Sequence, residues 1–452
     1  MPSIKSNLQS GRTREDRIHL GKNKRSRPEI SWFPAFLIRP TLRICVTCQE
    51  QMPTTAPTAF QKTAETFTPG ARTLAQKYFV SPEIFREEQE KIFSRRWSLA
   101  GHQSQIAASG DYFLTAVADE SLIVVRGRKS EIRGFYNVCR HRGSRLCEHR
   151  AGEAANGHLS AAIQCPYHAW TYGLDGRLIG APHMDEVPGF DKADYSLRPV
   201  DLALWEGFIF VNLTDGPMPM EKWFEPLAKK ISRWNLPTLR SAKRIEYDVR
   251  ANWKLIFENY SECYHCLGVH PMLSKVSPYD SAENDLTDGP FLGGFMKMNK
   301  GKSLTMSGNA CALPIDSIPA GADHARLVFY YSIFPNMLLS IHPEYVMVHQ
   351  LRPKAPDRTL VYCDWLFHPE AEKAGVNDPS SPGRAFDRTG ISPYHPDDAI
   401  EFWDMTNKQD WHVCELSQQG IASRGYEPGP YSARESIPAA WDRYYLRVMS
   451  QR

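Results

Sequence analysis

The chain lacks any long hydrophobic run. Across 452 residues, nothing approaches the roughly 20 consecutive apolar residues that a membrane-spanning helix needs, so no membrane span is expected. The most apolar short stretch, Trp32 to Ile38, is interrupted by Pro34 and followed by no small-residue cleavage site, which argues against a secretory leader. Cysteine is sparse. Ten in the whole chain are too few for a disulfide scaffold, and several stand beside histidines, the pattern of a reducing, cytoplasmic setting with metal ligation. Charge of one sign is also missing: 54 Lys and Arg against 51 Asp and Glu leave a net +3, so neither nucleic acid nor an anionic membrane is an expected partner. No glycine-rich nucleotide fingerprint follows a strand, and Thr68-Pro69-Gly70 reads as an ordinary turn; any NAD(P)H or flavin belongs to another protein. There is no internal repeat.

What is present is the composition of a globular protein, 42% hydrophobic and 23% charged, in a chain long enough for two or three domains. The small net charge hides an asymmetry. Residues 1–51 carry ten basic residues against four acids, with neither helical nor strand period, and Met52 opens a more usual start. Residues 1–51 are therefore expected to be an extension, disordered or not native. The pair Cys45/Cys48 lies within it, with no βαβ context and no second pair to make a redox or zinc site.

From there the pattern is helical over 70–96, where Phe79, Ile84, Phe85, Ile92 and Phe93 recur at helical intervals after the start signal Ser81-Pro82-Glu83. At Trp97 the period changes to strands, and a β-rich region runs to Asn212 before Pro217 and Pro219 mark a boundary. Beyond it the sequence predicts a helix over 221–236, strands over 243–252, 325–352 and 359–368, a surface loop over 375–396 and an amphipathic helix around 397–420. Strands interrupted by helices without βαβ alternation give an α+β fold.

Two stretches carry chemistry. Within the β-rich region, Cys139-Arg140-His141 is followed after 23 residues by Cys165-Pro166-Tyr167-His168. Two thiolates and two imidazoles, each pair presented from a tight loop to which Gly143 and Pro166 are suited, form the ligand set of a Rieske [2Fe–2S] centre. A zinc site could use the same four ligands, but Cys₂His₂ zinc spacing normally groups Cys with Cys and His with His, whereas this order alternates. Cys147 and His149 match no ligand position and read as loop residues. The second stretch runs from Asn252 to Pro271 and holds Glu262, His265 and His270. Imidazoles five apart diverge by roughly 140° on a regular helix, so a shared site requires the helix to loosen near Gly268 and to stop before Pro271. An Fe(II) centre of the two-histidine, one-carboxylate kind then needs one further acid.

Together these motifs resemble the Rieske non-haem iron oxygenases, the catalytic α subunits of ring-hydroxylating and N-demethylating systems, from about Ala71 to the C-terminus. The resemblance implies a β-rich Rieske domain (97–212) inserted in a helix-grip catalytic domain with an antiparallel sheet, to which 52–96 adds a helical part and 213–452 the body. It implies a [2Fe–2S] cluster on Cys139, His141, Cys165 and His168. It also implies one mononuclear Fe(II) on His265, His270 and a late carboxylate, for which Asp410 fits, with Asp404 and Glu415 as alternatives. Glu262 takes the bridging position, hydrogen-bonded to His265 and, across a homotrimer interface, to a neighbour's His168. Asn259 lines the path near iron without binding it. The expected partners are a ferredoxin or flavin reductase, O₂ and a small organic substrate.

Two departures stand out. Glu262 replaces the family's common Asp, as in the betaine, choline and carnitine branch, where Glu-Cys-Tyr-His-Cys also recurs. The interval between His141 and Cys165 is longer than usual, with Glu153 to Gly157 expected as a surface bulge. The activity so implied is N-demethylation or hydroxylation of a quaternary amine. Aromatic-ring dioxygenation is the alternative, and a Rieske electron carrier without oxygenase activity is the different class.

Overall fold

The computed structural model describes residues 59–148, 156–315, 323–369 and 395–451. The basic extension, Cys45/Cys48, His149 and most of the expected loop over 375–396 lie outside these. Among the described residues no helix is long and apolar enough to cross a membrane.

The chain enters through a short strand, β1 (Gln61–Lys62), and two helices, α1 (Lys77–Val80) and α2 (Pro82–Glu88). Ser81 starts α2 as the sequence predicts, its hydroxyl accepting from the backbone N–H of Ile84 at 3.2 Å with Pro82 at the first helical position. The β-rich region then supplies β2 (Ser98–His102), β3 (Asp111–Val117), β4 (Glu120–Arg126), β5 (Ile132–Tyr136), β6 (Asn156–His158), β7 (Ala162–Gln164), β8 (Thr171–Gly173), β9 (Leu178–Gly180), β10 (Pro199–Trp205) and β11 (Phe208–Asn212). These make a seven-stranded sheet in the order β2-β11-β10-β5-β4-β3-β6 and a three-stranded one, β7-β8-β9. Asn156 and Gly157, expected in a bulge, instead pair with Phe113 and Tyr112 as an exposed edge strand.

After α3 (Met220–Trp223) and α4 (Glu225–Ile231), the chain forms β12 (Arg240–Val249). This strand ends three residues earlier than its pattern suggests, because the Asn252 side chain accepts from the N–H of Lys254 at 3.0 Å and starts α5 (Trp253–Tyr260). Two short helices follow, α6 (Cys266–Val269) and α7 (Pro271–Val276). The antiparallel body consists of β13 (Glu283–Leu286), β14 (Phe291–Lys297), β15 (Leu327–Ile333), β16 (Met337–Ile341), β17 (Tyr345–Ala355) and β18 (Arg358–Phe367). The strands expected over 325–352 are three, joined by tight connections. With β1 and β12 they form an eight-stranded sheet, β1-β13-β14-β15-β16-β17-β18-β12. Through β1 the N-terminal segment is sewn into this sheet, not into the β-rich one.

Both faces of the large sheet are covered, and the strand period of two sorts its residues. On β17, Tyr345, Met347 and Leu351 face one core while Val346 and Val348 face the other. The first core includes residues of α5, of α8 (Pro396–Ile421) and of α9 (Ser436–Ser450), a helix that the hydrophobic pattern did not single out. The second includes residues of α3, α4 and of β2 and β11. α5 is seated by a fully buried ion pair, Lys254 Nζ to Glu88 Oε1 at 2.5 Å, whose carboxylate also accepts from Trp253 Nε1 at 2.9 Å and the Tyr445 hydroxyl at 2.6 Å. Satisfied this fully, the pair anchors α5; losing one partner would cost about 3–5 kcal/mol.

Candidate metal centres and cavity

The two cysteine–histidine loops of the β-rich region are built alike. In the first, the N–H of Cys139 donates to Ser144 O at 2.8 Å and that of Gly143 to Cys139 O at 3.1 Å. In the second, Cys165 N–H donates to Trp170 O at 2.8 Å and Ala169 N–H to Cys165 O at 3.1 Å. The fifth residue of each loop is left-handed, Gly143 at φ +74° and Ala169 at φ +56°. Glycine suits that conformation and alanine does not, so a sequence reading had reason to notice Gly143 and none to notice Ala169.

The loops bring both thiols inside and both imidazoles outward. Cys139 and Cys165 are each 3% exposed and not in a disulfide. His141 is exposed and His168 half-buried, with ring centroids 4.8 Å apart. His141 is held by stacking on Trp170 at 4.7 Å. His168 Nδ1 is buried and has no hydrogen-bond partner, as a nitrogen kept for a metal would be. The Tyr172 hydroxyl accepts from Arg140 N–H at 3.0 Å and lies 3.2 Å from Cys139 Sγ, to which it would donate once that sulfur is a thiolate with no proton of its own. Two buried sulfurs, two outer imidazoles and a donor aimed at one sulfur fit a two-iron cluster with unlike ends. Cys147 is apart from this pattern. It is a buried thiol whose pKa burial pushes up to about 11, and its backbone is tied to Asn137.

At the other site His265 and His270 are not on one helix. α5 ends at Tyr260, His265 immediately precedes α6, and His270 lies between α6 and α7. The expected loosening is therefore on both sides of Gly268 and not at it. Two causes are visible. Pro271 drives His270 out of helical geometry, to φ −120°, ψ 71°. The Glu262 carboxylate accepts from the N–H groups of Tyr264 and, at 3.2 Å, His265, in place of helical carbonyls.

Freed from one helix, the two imidazoles meet Asp410 on α8. Asp410 Oδ1 lies 3.2 Å from His265 Nε2 and 2.9 Å from His270 Nε2. Neighbouring ligands about 2.1 Å from one ion at right angles stand about 3 Å apart, so these separations are those of three groups on one face of a metal. The outer ring nitrogens are occupied: Nδ1 of His265 by Glu262, and Nδ1 of His270 by Gln409 Oε1 at 2.8 Å. That fixes both Nε2 lone pairs inward. Burial alone would lower the His265 pKa, but hydrogen bonds to Asp410 and Glu262 lift it to about 10; the site attracts positive charge. Gln409, which the sequence reading missed, is legible only as the neighbour of Asp410.

The alternative acids are engaged elsewhere. Asp404 accepts from the Tyr247 hydroxyl at 2.8 Å and from Lys408, and Glu415 accepts from Arg250 N–H at 2.9 Å. Cys266 Sγ approaches His265 Nε2 at 3.9 Å but is joined to Cys263 in a disulfide, so it offers no thiolate. This local bridge is compatible with too few cysteines for a scaffold, and it departs from the expectation that cysteines beside histidines bind metal.

Beside the triad opens a cavity of about 310 Å³, lined by Asn259, Glu262, His265, His270 and Asp410 and by the rings of Tyr260, Tyr330, Trp403 and Trp411. Gly293 and Gly294 form part of its wall. Gly293 is at φ +137°, where a Cβ would fall 2.0 Å from Tyr330 O, so no larger residue fits without moving β15.

Comparison with known proteins agrees with this geometry. Residues 96–191 match the Rieske [2Fe–2S] domain, and residues 236–451 the ring hydroxylating alpha subunit catalytic domain. The chain is 31% identical over 392 residues to the glycine betaine monooxygenase oxygenase subunit of Chromohalobacter salexigens, covering 80% of this chain and 82% of that one. It is 37% identical over 203 residues to the carnitine monooxygenase oxygenase subunit of Acinetobacter baumannii, 44% of this chain and 53% of the relative. Among solved structures, a quaternary ammonium Rieske monooxygenase, described for carnitine oxidation by gut microbiota and inter-subunit electron transfer, superposes with a TM-score of 0.69 at 25% identity, over 87% of this chain and 100% of the other.

Proposed function

The chain belongs to the Rieske oxygenases, as an oxygenase subunit with both the [2Fe–2S] and the mononuclear-iron catalytic domain, and from that premise we propose that it oxygenates an N-methyl group of a small quaternary ammonium compound. The observation that carries this is the meeting of His265, His270 and Asp410 in the wall of a cavity that also carries the rings of Tyr260, Tyr330, Trp403 and Trp411. Ring faces attract a cation that cannot donate hydrogen bonds, and the relatives act on such cations.

In this reading residues 97–212 hold the cluster through Cys139, His141, Cys165 and His168, and residues 52–96 and 213–452 build the catalytic part. When bound, the cluster supplies single electrons and the mononuclear iron the place where O₂ is activated. The chain's own residues do the rest. Glu262 and Gln409 hold the two imidazoles in one tautomer, and the rings of Tyr260, Tyr330, Trp403 and Trp411 enclose the substrate and keep out water. Electrons come from a partner reductase. We place Glu262 at a homotrimer interface, beside a neighbouring copy's Rieske loop, because Glu262 flanks the iron triad while exposed Tyr264 and Leu267 adjoin it on the surface.

The test is a substrate panel with a surrogate reductase, following formaldehyde release and ring hydroxylation together. Formaldehyde from trimethylammonium compounds is expected; hydroxylated arenes with no formaldehyde would replace this proposal by the arene alternative. Iron content separates the electron carrier, at about two irons per chain, from the oxygenase, at about three.

A further inference from the structure

Among the described residues six cysteines are free thiols and one pair is bonded, Cys263 to Cys266, with His265 inside the loop that the bond closes. Both cysteines line the cavity beside the His265–His270–Asp410 face. Cys266 Sγ is 3.9 Å from His265 Nε2, and it stands within 4.8 Å of a ring nitrogen of His270 as well.

The bond does little for the shape of this loop. Bridging residues three apart closes a short loop, which constrains the unfolded chain least. The turn is fixed without it: the Glu262 carboxylate accepts from the N–H groups of Tyr264 and His265, and Cys266 N–H donates to Cys263 O at 3.2 Å. What the bond does is deny Cys266 Sγ to a metal, since the ligating form of cysteine is the thiolate. An ion holding a thiolate at about 2.3 Å and an imidazole at about 2.0 Å in a tetrahedral arrangement sets sulfur and nitrogen about 3.5 Å apart. Once freed, the sulfur has to move by about an ångström, which is within the swing of the single rotatable bond of a cysteine side chain.

We propose that Cys263 and Cys266 are a thiol–disulfide switch on the metal site. Bonded, they leave two imidazoles and a carboxylate, with positions open for O₂. Reduced, Cys266 becomes a fourth ligand and closes the site, in a mixed nitrogen, oxygen and sulfur set that suits zinc. The reductant is a dithiol. One of its thiolates attacks Cys263, the more exposed of the pair at 9% against 3%, and the S–S bond breaks with Cys266 leaving as a thiolate beside His265. The second thiol of the reductant then displaces Cys263, so the dithiol ends as a disulfide and two electrons have passed to the pair. One proton of the dithiol stays on Cys263, and the other is released when Cys266 binds metal. The switch uses the metal face of the proposed function and is independent of the substrate assigned to it.

The experiment uses the full chain with its [2Fe–2S] cluster and with zinc in place of the mononuclear iron, first oxidised with glutathione disulfide and then reduced with dithiothreitol. Alkylation and mass spectrometry should find Cys263 and Cys266 blocked in the first state and both labelled in the second. At the zinc X-ray absorption edge, which does not see the iron cluster, a sulfur scatterer at about 2.3 Å should appear only on reduction. Zinc affinity should rise with it by at least about tenfold, the lower end of what even an outer partner of a ligand is worth. Cys263→Ser, which leaves Cys266 permanently free, should show the sulfur without reductant, and Cys266→Ser should never show it. A pair that only stapled the loop would give both variants the same zinc environment. Should the variants fail to fold, the two states of the wild type decide. No sulfur at the zinc of the reduced protein, or a pair that stays in one state through both treatments, overturns the switch and leaves the metal face standing. Zinc bound in neither state overturns the metal face as well.

Discussion

The Glu262 carboxylate holds His265 twice, by the ring Nδ1 and by the backbone N–H. One side chain thereby fixes the tautomer, the ring orientation and the turn of a residue that the proposed function makes an iron ligand. Glu262→Ala should keep the visible spectrum of the Rieske cluster, which lies in the other domain, and lower turnover by at least about 10–100-fold. Glu262→Gln, which retains one acceptor oxygen, should lose less mononuclear iron than the alanine variant. Wild-type turnover in Glu262→Ala would remove both the orienting and the bridging role.

Tyr172 addresses the other centre. Its hydroxyl lies 3.2 Å from Cys139 Sγ and donates to it when that sulfur is a thiolate, while its oxygen accepts from Arg140 N–H. A donor to a ligating sulfur favours the reduced, more negative cluster. Tyr172→Phe should therefore lower the Rieske midpoint potential, on the order of 50 mV for a one-electron couple. A potential unchanged or raised by protein-film voltammetry would show that the hydroxyl does not reach the cluster.

Ala169 is held left-handed at φ +56° in a loop otherwise equivalent to that of Gly143. The strain is about 1 kcal/mol for an L residue, offset in part by the greater freedom of glycine when unfolded. Ala169→Gly should raise the thermal midpoint of the Rieske circular-dichroism signal slightly, and Ala169→Val should lower it clearly. The reverse order would mean that the methyl group packs against something worth more than the backbone strain.

The candidate ligands were legible in the sequence because such sets are written as short spacings. Cys139-x-His141 and Cys165-x-x-His168 are each a single loop, and the strand period around them changes at Trp97 and again past Asn212. The β12–α5 junction was misplaced by three residues, since a capping asparagine looks like any other until its side chain is seen to bond Lys254 N–H. Helix α9 went unread. Its Trp441 and Tyr445 face α5 and the Glu88 pair, so its pattern answers a partner distant in sequence. The hydrogen-bond chain that ends at His349 could not be read at all. It joins Asp404 and Asn407 of α8 to Tyr247 of β12 and His349 of β17, three segments that meet only in space.

Glu344, in the turn between β16 and β17, is 7% exposed and accepts from the Ser303 hydroxyl at 3.0 Å. Burial raises its pKa to about 7, against about 4.3 in an unfolded chain. Below the unfolded value both states hold the proton and the side chain favours folding fully. Between about 4.3 and 7 the unfolded chain releases that proton and the folded one does not, so stability falls as pH rises. Above 7 the loss is complete, about 4 kcal/mol. Glu344→Gln keeps an acceptor for Ser303 and has no proton to lose. Relative to wild type it should be more stable at pH 8, by up to that amount, and little different at pH 4. Equal stability differences at the two pH values, measured by urea unfolding, would show that Glu344 is ionised in the folded protein and that its surroundings carry a counter-charge.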